Sequence, residues 1–301
     1  MSNLLVLILC FSMGYILRTV NRIPENSHRT INAFILHISL PAQIFLFVPK
    51  ISFSSEILLP AVMAWIVFLF TFGILFISNN FLNLNSKMIG CLLLTAGLGN
   101  TSFLGLPMIE VFFGKEFSSI GILCDQPGTF LVLSLLGIPL ALQKSSLDTN
   151  YKVLLKKIIT FPPFIAFITA ILLSNVSFPS QATSVLQRLG DTLAPLALFS
   201  VGFQFKLAGI QKIKKELFLG LMVKMILAPL FILFVYMVLL KNTSMYSKIS
   251  IFEAAMPPMI TGGIVAIEND LNPELASAMI AIGVLVSGLT LPVWYFGLSR
   301  F

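Results

Sequence analysis

The stretch GLGNTSFLGLP, from Gly97 to Pro107, lies in the middle of a strongly apolar segment of the chain. Its three glycines and its proline weaken or break a helix, and they surround an Asn-Thr-Ser run. Farther along, MPPMITGG from Met256 to Gly263 places two prolines, a threonine and two glycines in a similar apolar setting. These two interruptions decide how the rest of the sequence is interpreted.

The composition identifies the solvent as lipid. The chain has 301 residues, of which 57% are hydrophobic and only 10% charged, whereas about 25% of the residues of a soluble domain are charged. So few charges could not cover the surface of a soluble protein of this size. The net charge of +7 is carried mainly by short loops, so the positive-inside rule explains it and nucleic acid binding does not. The sequence therefore predicts an all-α polytopic membrane protein.

Successive apolar stretches run from one end of the chain to the other, and stretches of about 17 to 25 residues are long enough to cross a bilayer as helices. We predict ten transmembrane spans, at residues 3–20, 30–48, 57–79, 88–110, 118–142, 154–175, 185–205, 214–240, 248–267 and 274–298.

Loop charges predict the orientation. The loops after odd-numbered spans hold twelve lysines and arginines, and the loops after even-numbered spans hold five. Because cytoplasmic loops carry the excess of positive charge, we expect both termini to lie outside the cytoplasm.

The two halves of the sequence match each other. Pro41 precedes Pro139 by 98 residues, and Pro195 precedes Pro292 by 97 residues. We therefore predict a first five-helix repeat over residues 1–143, a cytoplasmic linker over 144–153 and a second repeat over 154–301. Since five is an odd number of spans, the second repeat enters the membrane inverted.

The interrupted spans 4 and 9 occupy corresponding places in the two repeats. Ser86-Lys87 opens span 4 and Ser247-Lys248 opens span 9, and thirteen residues after these lysines stand Asn100 and Thr261. Non-helical backbone at membrane depth is tolerated only where protein or a water-filled cavity satisfies its peptide groups. The freed N–H end of a half-helix suits a carboxylate and the freed carbonyl end suits a cation. Matched breaks predict one anion site, whereas a proline kink between closely packed helices is the simpler alternative for either break alone.

Three motifs, GNTSFLGLP, GDTLAPLALFSVGFQ and EAAMPPMITGG, occur in this order in spans 4, 7 and 9. They resemble the auxin efflux carrier family of membrane transporters, and the resemblance covers essentially the whole chain. It implies two inverted five-helix repeats whose broken helices 4 and 9 cross. It also implies a body of spans 3, 4, 5, 8, 9 and 10 that moves against a scaffold of spans 1, 2, 6 and 7.

The family transports small organic carboxylates, the plant members carrying the auxin indole-3-acetate, and it belongs to a wider group with the bile-acid sodium symporters. This chain is without the long central loop of the large plant carriers, so it looks like a compact bacterial-type member of the inner (plasma) membrane. Family analogy also predicts a homodimer.

The predicted substrate-binding residues are the polar and helix-breaking residues of the two interruptions. They are Gly99, Asn100, Thr101, Ser102, Pro107, Pro257, Pro258, Thr261 and Gly262.

An ionisable group inside a span is a functional hypothesis by default. Glu253 stands four residues before Pro257, and its run Glu-Ala-Ala-Met is similar to a stretch of the bile-acid sodium symporters in which the glutamate contacts sodium. In this chain Pro257 replaces the glutamine that follows there. Sodium binding at Glu253, a proton on its carboxyl group and a structural ion pair with Lys224 are three alternatives.

Four further residues are candidates for ion coupling. Asp125, in CDQPGTF, would carry a proton or cation, or would be satisfied by neighbouring hydroxyls. Asp191, in LGDTLAP, would serve coupling or cap the helix that follows it. Lys224 would pair with Glu253 or Asp191, or attract an anionic substrate. His37 would relay protons, or form a hydrogen bond within its helix.

We therefore expect a secondary active transporter of a small organic anion, coupled to protons or sodium, and no enzyme activity. An uncoupled channel or membrane sensor with the same fold is the alternative, and an intramembrane aspartyl protease using Asp125 and Asp191 is a remote one. No nucleotide-binding loop, metal-ligand cluster, haem motif or flavin motif occurs in the sequence, so no cofactor is expected.

Overall fold

A computed structural model describes residues 2–50, 55–82, 84–142, 156, 159–173, 176, 178–204 and 213–301. Within these ranges every regular element is helical, and the one strand-like feature is an isolated bridge between two backbone segments. The predicted linker at 144–153 lies outside the described residues.

Long apolar runs form the helices of the first half of the chain. They are α1 (Ser2–Thr19), α2 (Ser27–Phe34), α3 (Leu40–Phe47), α4 (Leu58–Leu82), α5 (Ser86–Thr95), α6 (Leu106–Phe112), α7 (Ser118–Leu123) and α8 (Ile138–Leu142). The second half contains α9 (Pro162–Leu172), α10 (Ser180–Gly190), α11 (Leu193–Gln204), α12 (Lys214–Met222), α13 (Ala228–Leu233), α14 (Met245–Ala254), α15 (Ile260–Glu268) and α16 (Pro273–Leu298).

Five helical stretches are long and apolar enough to cross a membrane, and shorter apolar helices accompany them. The five are Ser27–Phe47, Ser55–Asn79, Lys115–Leu140, Lys214–Leu239 and Pro273–Leu298. The chain is therefore an integral membrane protein with several spans, as its composition predicts. The count of ten spans stays a prediction, as does the orientation of the termini.

Prolines shape several spans without ending them. Pro41, Pro107, Pro139 and Pro229 each stand two residues after a wide, π-helical turn, and an α-helix continues beyond each of them. A proline has no N–H, and its ring clashes with the carbonyl four residues earlier. Widening the preceding turn relieves that clash, so the helix continues through each proline.

The chain divides into two compact units. Unit 1 comprises residues 1–54, 102–122 and 155–205, and unit 2 comprises 55–101, 123–154 and 206–301. Predicted spans 1, 2, 6 and 7 fall in unit 1, and spans 3, 8, 9 and 10 fall in unit 2. Spans 4 and 5 differ from the expected grouping, because each of them is divided between the units.

Unit 1 is organised by a close contact between α1 and α11. A Cβ atom added to Gly14 would lie 2.1 Å from the carbonyl oxygen of Phe199, and one added to Gly202 would lie 2.0 Å from that of Phe11. Both distances are too short for any side chain. Glycine is therefore required at these two positions, because it lets the two helix backbones touch.

Unit 2 packs around the two helix breaks. An added Cβ at Gly262, in α15, would lie 2.2 Å from the carbonyl oxygen of Leu94 in α5, and one at Gly283, in α16, would lie 2.4 Å from the Pro258 ring. Two glycines thus allow α15 and α16 to approach the interrupted segments closely.

Candidate functional site

The two interrupted spans meet inside unit 2. Span 4 loses its helical pattern over residues 96–100 and span 9 over 255–259, and Gly99 and Pro258 form an antiparallel bridge between these segments. The meeting of the two breaks, which the sequence predicts, is therefore observed.

Two backbone hydrogen bonds flank this bridge. The N–H of Asn100 donates to the carbonyl oxygen of Pro257 over 2.8 Å, and the N–H of Met259 donates to that of Leu98 over 3.1 Å. Each break therefore satisfies peptide groups that the other leaves without helical partners, which is what irregular backbone at membrane depth requires. We call residues 96–100 and 255–259 together the crossing.

The helix bounds correct the alignment of the two breaks. Helix α14 begins and ends 159 positions after α5, and the helical turn at Thr101 is likewise followed 159 positions later by the start of α15. Asn100 therefore corresponds to Met259, and the correspondence with Thr261 drawn from the two lysines is wrong by two positions. With the same shift of 159 positions, Asn100 corresponds to Met259 and Leu98 corresponds to Pro257, so each flanking hydrogen bond is the counterpart of the other. The backbone of the crossing therefore has a local two-fold symmetry.

Asn100 is the most distinctive polar side chain of the crossing. It is 2% exposed, and its Nδ2 group has no hydrogen-bond partner among the described residues. A buried donor left unpaired costs about 1 to 3 kcal/mol, and an acceptor bonded to this amide would remove that cost. Thr261 is exposed, one position into α15.

Asp125 lies beside the crossing with its carboxylate already bonded. Thr101 Oγ1 donates to one oxygen over 2.6 Å, and Gln126 Nε2 donates to the other over 2.7 Å. The bond to Thr101 links Asp125 directly to the first residue after the break in span 4. A neighbouring hydroxyl thus satisfies this aspartate, as one of the two alternatives predicted, and a side-chain amide that was not predicted does so as well.

Lys224 is buried next to the crossing. Its Nζ donates to the carbonyl oxygen of Ala254, the last residue of α14, over 2.6 Å. That carbonyl is free because its usual helical partner would be the N–H of Pro258, which does not exist. A Cβ added to Gly99 would lie 3.1 Å from Nζ, so the ammonium group sits directly against the break in span 4. A cation at a helix C-terminus is stabilised by the helix dipole.

Glu253 is completely buried one residue before Ala254, and neither of its carboxyl oxygens has a hydrogen-bond partner among the described residues. Asp125 and Lys224 are close enough to interact with it electrostatically. The direct ion pair expected between Lys224 and Glu253 is not formed, because the Lys224 ammonium group bonds the Ala254 carbonyl.

The remaining predicted site residues are placed as follows. Pro257 and Pro258 are buried in the crossing, and Gly262 packs on α5. Ser102 and Pro107 belong to unit 1, where Ser102 is half-buried and Pro107 buried.

Two predicted coupling residues belong to unit 1 and have partners of their own. His37 is exposed, and its Nδ1 lies 2.8 Å from the carbonyl oxygen of Ala33 in the same helix. Asp191 forms an ion pair with Lys115 and accepts a hydrogen bond from Gln187 over 2.8 Å. These partners engage Asp191 in place of the predicted cap. Neither residue belongs to the group that the structure gathers at the crossing.

A second polar group, in unit 1, contains Glu110, which the sequence analysis did not single out. Gln43 Nε2 donates to Glu110 Oε1 over 2.9 Å and to the carbonyl oxygen of Gly190 over 3.3 Å. Glu110 ends predicted span 4, and an acidic residue there was the signal that could have identified it. This group ties span 2 to the interruption of span 7.

The crossing thus combines an unpaired amide donor, a buried ammonium group and the N–H end of α15, all of which favour an anion. Paired helix breaks with such groups, inside a polytopic membrane protein, are typical of membrane transporters. A family model described as membrane transport protein matches residues 1–295. The chain belongs to this family, which includes the auxin efflux carriers.

Similar proteins carry names of the same kind. An uncharacterized transporter of Methanothermobacter thermautotrophicus is 26% identical over 295 residues, covering 97% of this chain and 95% of the relative. An uncharacterized transporter of Methanocaldococcus jannaschii is 27% identical over 98% of this chain and 97% of the relative. The uncharacterized transporter YfdV of Escherichia coli K12 is 23% identical, with coverage of 98% and 96%.

Proposed function

We propose that the protein is a secondary transporter that moves a small organic carboxylate across the membrane by alternating access. The observation that carries the proposal is the unpaired, buried Nδ2 group of Asn100 at the crossing. A carboxylate brought into the crossing would accept a hydrogen bond from this amide. The amide would then no longer be left without a partner.

The charges around the crossing support an anionic substrate. The Lys224 ammonium group lies against Gly99 and donates one hydrogen bond, to the Ala254 carbonyl, so it attracts negative charge into the crossing. The N–H end of α15 adds a partial positive charge. Thr101 contributes less to substrate binding than the sequence predicts, because its hydroxyl donates to Asp125.

Alternating access requires a body that moves. We propose that unit 2, which contains the whole crossing, is that body and that unit 1 is the scaffold. The division of the chain's internal contacts into these two units supports the proposal. Both termini outside the cytoplasm, an inner-membrane location and a homodimer complete the proposed arrangement.

Counterflow in proteoliposomes tests the proposal. Purified protein would be reconstituted with unlabelled malate, malonate or indole-3-acetate inside, and entry of the labelled compound would be followed over a range of concentrations. We expect saturable exchange of at least one carboxylate. A hydrogen bond to a charged group contributes about 1.5 to 3 kcal/mol, so Asn100→Ala should raise the half-saturation concentration roughly 10- to 100-fold.

The matched control is Asn269→Ala, because the Asn269 side chain bonds the Val265 carbonyl at the far end of α15, and its removal should leave half-saturation unchanged. Flux that never saturates would indicate a channel instead. Equal effects of the two substitutions would mean that Asn100 does not bind the substrate.

A further inference from the structure

Three ionisable side chains are buried together next to the crossing. Asp125 is 3% exposed, Lys224 is 1% exposed and Glu253 is 0% exposed, and all three belong to unit 2. If all were ionised, the group would carry a net charge of −1 in an apolar interior, where an uncompensated charge is expensive. A single proton on one of the two carboxyl groups makes the group neutral.

Hydrogen bonding decides which carboxyl group takes that proton. Asp125 receives one bond from the Thr101 hydroxyl and another from the Gln126 amide, and bonds of this kind favour the ionised form. Glu253 receives none at either oxygen from the described residues. The proton therefore belongs on Glu253.

The position that a coupling cation would use is already filled. The carbonyl end of an interrupted helix is where such a site binds sodium, and in α14 the carbonyl freed by Pro258 is that of Ala254. Lys224 Nζ occupies it at 2.6 Å. A covalently tethered ammonium group thus provides the positive charge that a sodium ion would bring.

Other titratable groups around Glu253 do not change the net charge of the three buried side chains. Among the described residues packed against α14, the titratable groups that interact with Glu253 are Asp125, Cys124 and Lys224, and Tyr236 lies next to Cys124. Buried thiol and phenol groups stay neutral. Tyr236 donates its hydroxyl to the carbonyl oxygen of Leu59 over 2.6 Å.

We propose that Glu253 carries the proton that is transported with the organic anion, and that Lys224 is a fixed cation in place of a coupling sodium ion. The inference rests on the proposed function. A proton from water on one side binds a Glu253 oxygen, and it leaves to water on the other side. An anion bound at the crossing repels an ionised Glu253, so anion and proton each strengthen the binding of the other.

An infrared experiment tests the protonation without any substrate. A protonated carboxylic acid in an apolar site has a carbonyl stretch that a carboxylate does not have. We expect purified wild-type protein at neutral pH to show this band and Glu253→Gln to have lost it. Glu274→Gln, at an exposed position in the first turn of α16, should keep it. A band unchanged in Glu253→Gln would overturn the proposal.

Transport under imposed gradients tests the coupling. An inward proton gradient should drive accumulation of the carboxylate in the wild type, and a sodium gradient should have no effect. Glu253→Gln should exchange the carboxylate with a half-saturation concentration that no longer depends on pH, and it should accumulate nothing. Sodium-driven uptake, or proton-driven accumulation that survives in Glu253→Gln, would refute the proposal. If no carboxylate is moved at all, the proposed function fails, whereas the infrared band still decides whether Glu253 holds a proton.

Discussion

Asn100 donates its backbone N–H to the carbonyl oxygen of Pro257, 2.8 Å away, and this bond joins two helix breaks that are more than 150 residues apart in sequence. With the bond from Met259 to Leu98 it satisfies backbone groups that neither span could satisfy alone. The polar side chains Thr101 and Lys224 form their hydrogen bonds directly beside the segments that this contact joins.

Replacing Gly262 should disrupt the packing on which the crossing depends. A Cβ at this position would meet the Leu94 carbonyl oxygen at 2.2 Å, and backbone cannot give way as a flexible side chain can. We expect Gly262→Ala to lose at least about 1 to 3 kcal/mol of stability, measured by thermal unfolding in detergent. Gly288→Ala is the control, because nothing lies within 4 Å of an added Cβ there. Equal melting temperatures for the two variants would contradict this packing.

Lys224→Met should destabilise unit 2, because it removes the donor that bonds the Ala254 carbonyl and leaves the nearby carboxyl groups without a positive charge. The loss of a hydrogen bond made by a charged group alone amounts to about 1.5 to 3 kcal/mol. Thermal unfolding would measure it, with Lys241→Met, at an exposed position, as the reference. Glu253→Gln changes no charge when Glu253 holds a proton, so its effect on stability should add to that of Lys224→Met. A clear departure from additivity would mean that Glu253 is ionised beside Lys224.

Thr101→Val keeps the shape of the side chain and removes the hydroxyl that donates to Asp125. We expect a loss of roughly 1 to 3 kcal/mol, because the buried carboxylate then has one donor fewer. Thr101→Ser retains the hydroxyl and should keep most of that stability, so the difference between the two variants measures the hydrogen bond itself. If Thr101→Ser were as unstable as Thr101→Val, the lost methyl contact would be the cause.

Gln43→Leu tests whether the polar group of unit 1 is structural. The substitution removes the donor to Glu110 and to the Gly190 carbonyl, so stability should fall by about 1 to 3 kcal/mol. Carboxylate half-saturation in the counterflow assay should not change, since the substrate site is assigned to unit 2. A change in half-saturation without a loss of stability would bring Gln43 into the transport site.

The sequence predicts much of this fold because helix breakers are rare in apolar spans and therefore conspicuous. Gly99, Pro257 and Pro258 mark the two breaks, and the meeting of those breaks follows from the need to satisfy freed backbone groups. The alignment of the halves failed by two positions because it followed the two lysines near the helix starts. Lys87 is the second residue of α5 whereas Lys248 is the fourth residue of α14, which accounts for the two positions.

Side-chain partners were predicted less well. Opposite charge suggested that Lys224 would pair with Glu253. Pro258, however, leaves the Ala254 carbonyl without a helical partner, and the Lys224 ammonium group bonds that carbonyl instead. Asp191 suggested a helix cap, yet Lys115 and Gln187 bond it. In both cases the deciding partner comes from another turn or another span, and only the packed structure brings that partner within reach.

The two-fold relation of the crossing holds for its backbone and ends at its side chains. Two solutes arriving from opposite faces of the membrane would meet the same pair of flanking hydrogen bonds, but Leu98 and Gly99 have N–H groups that the corresponding Pro257 and Pro258 do not have. Asn100 on one segment corresponds to Met259 on the other, an amide facing a thioether. Any preference for loading at one face therefore originates in such unequal pairs, of which Gly97 and Met256 are another.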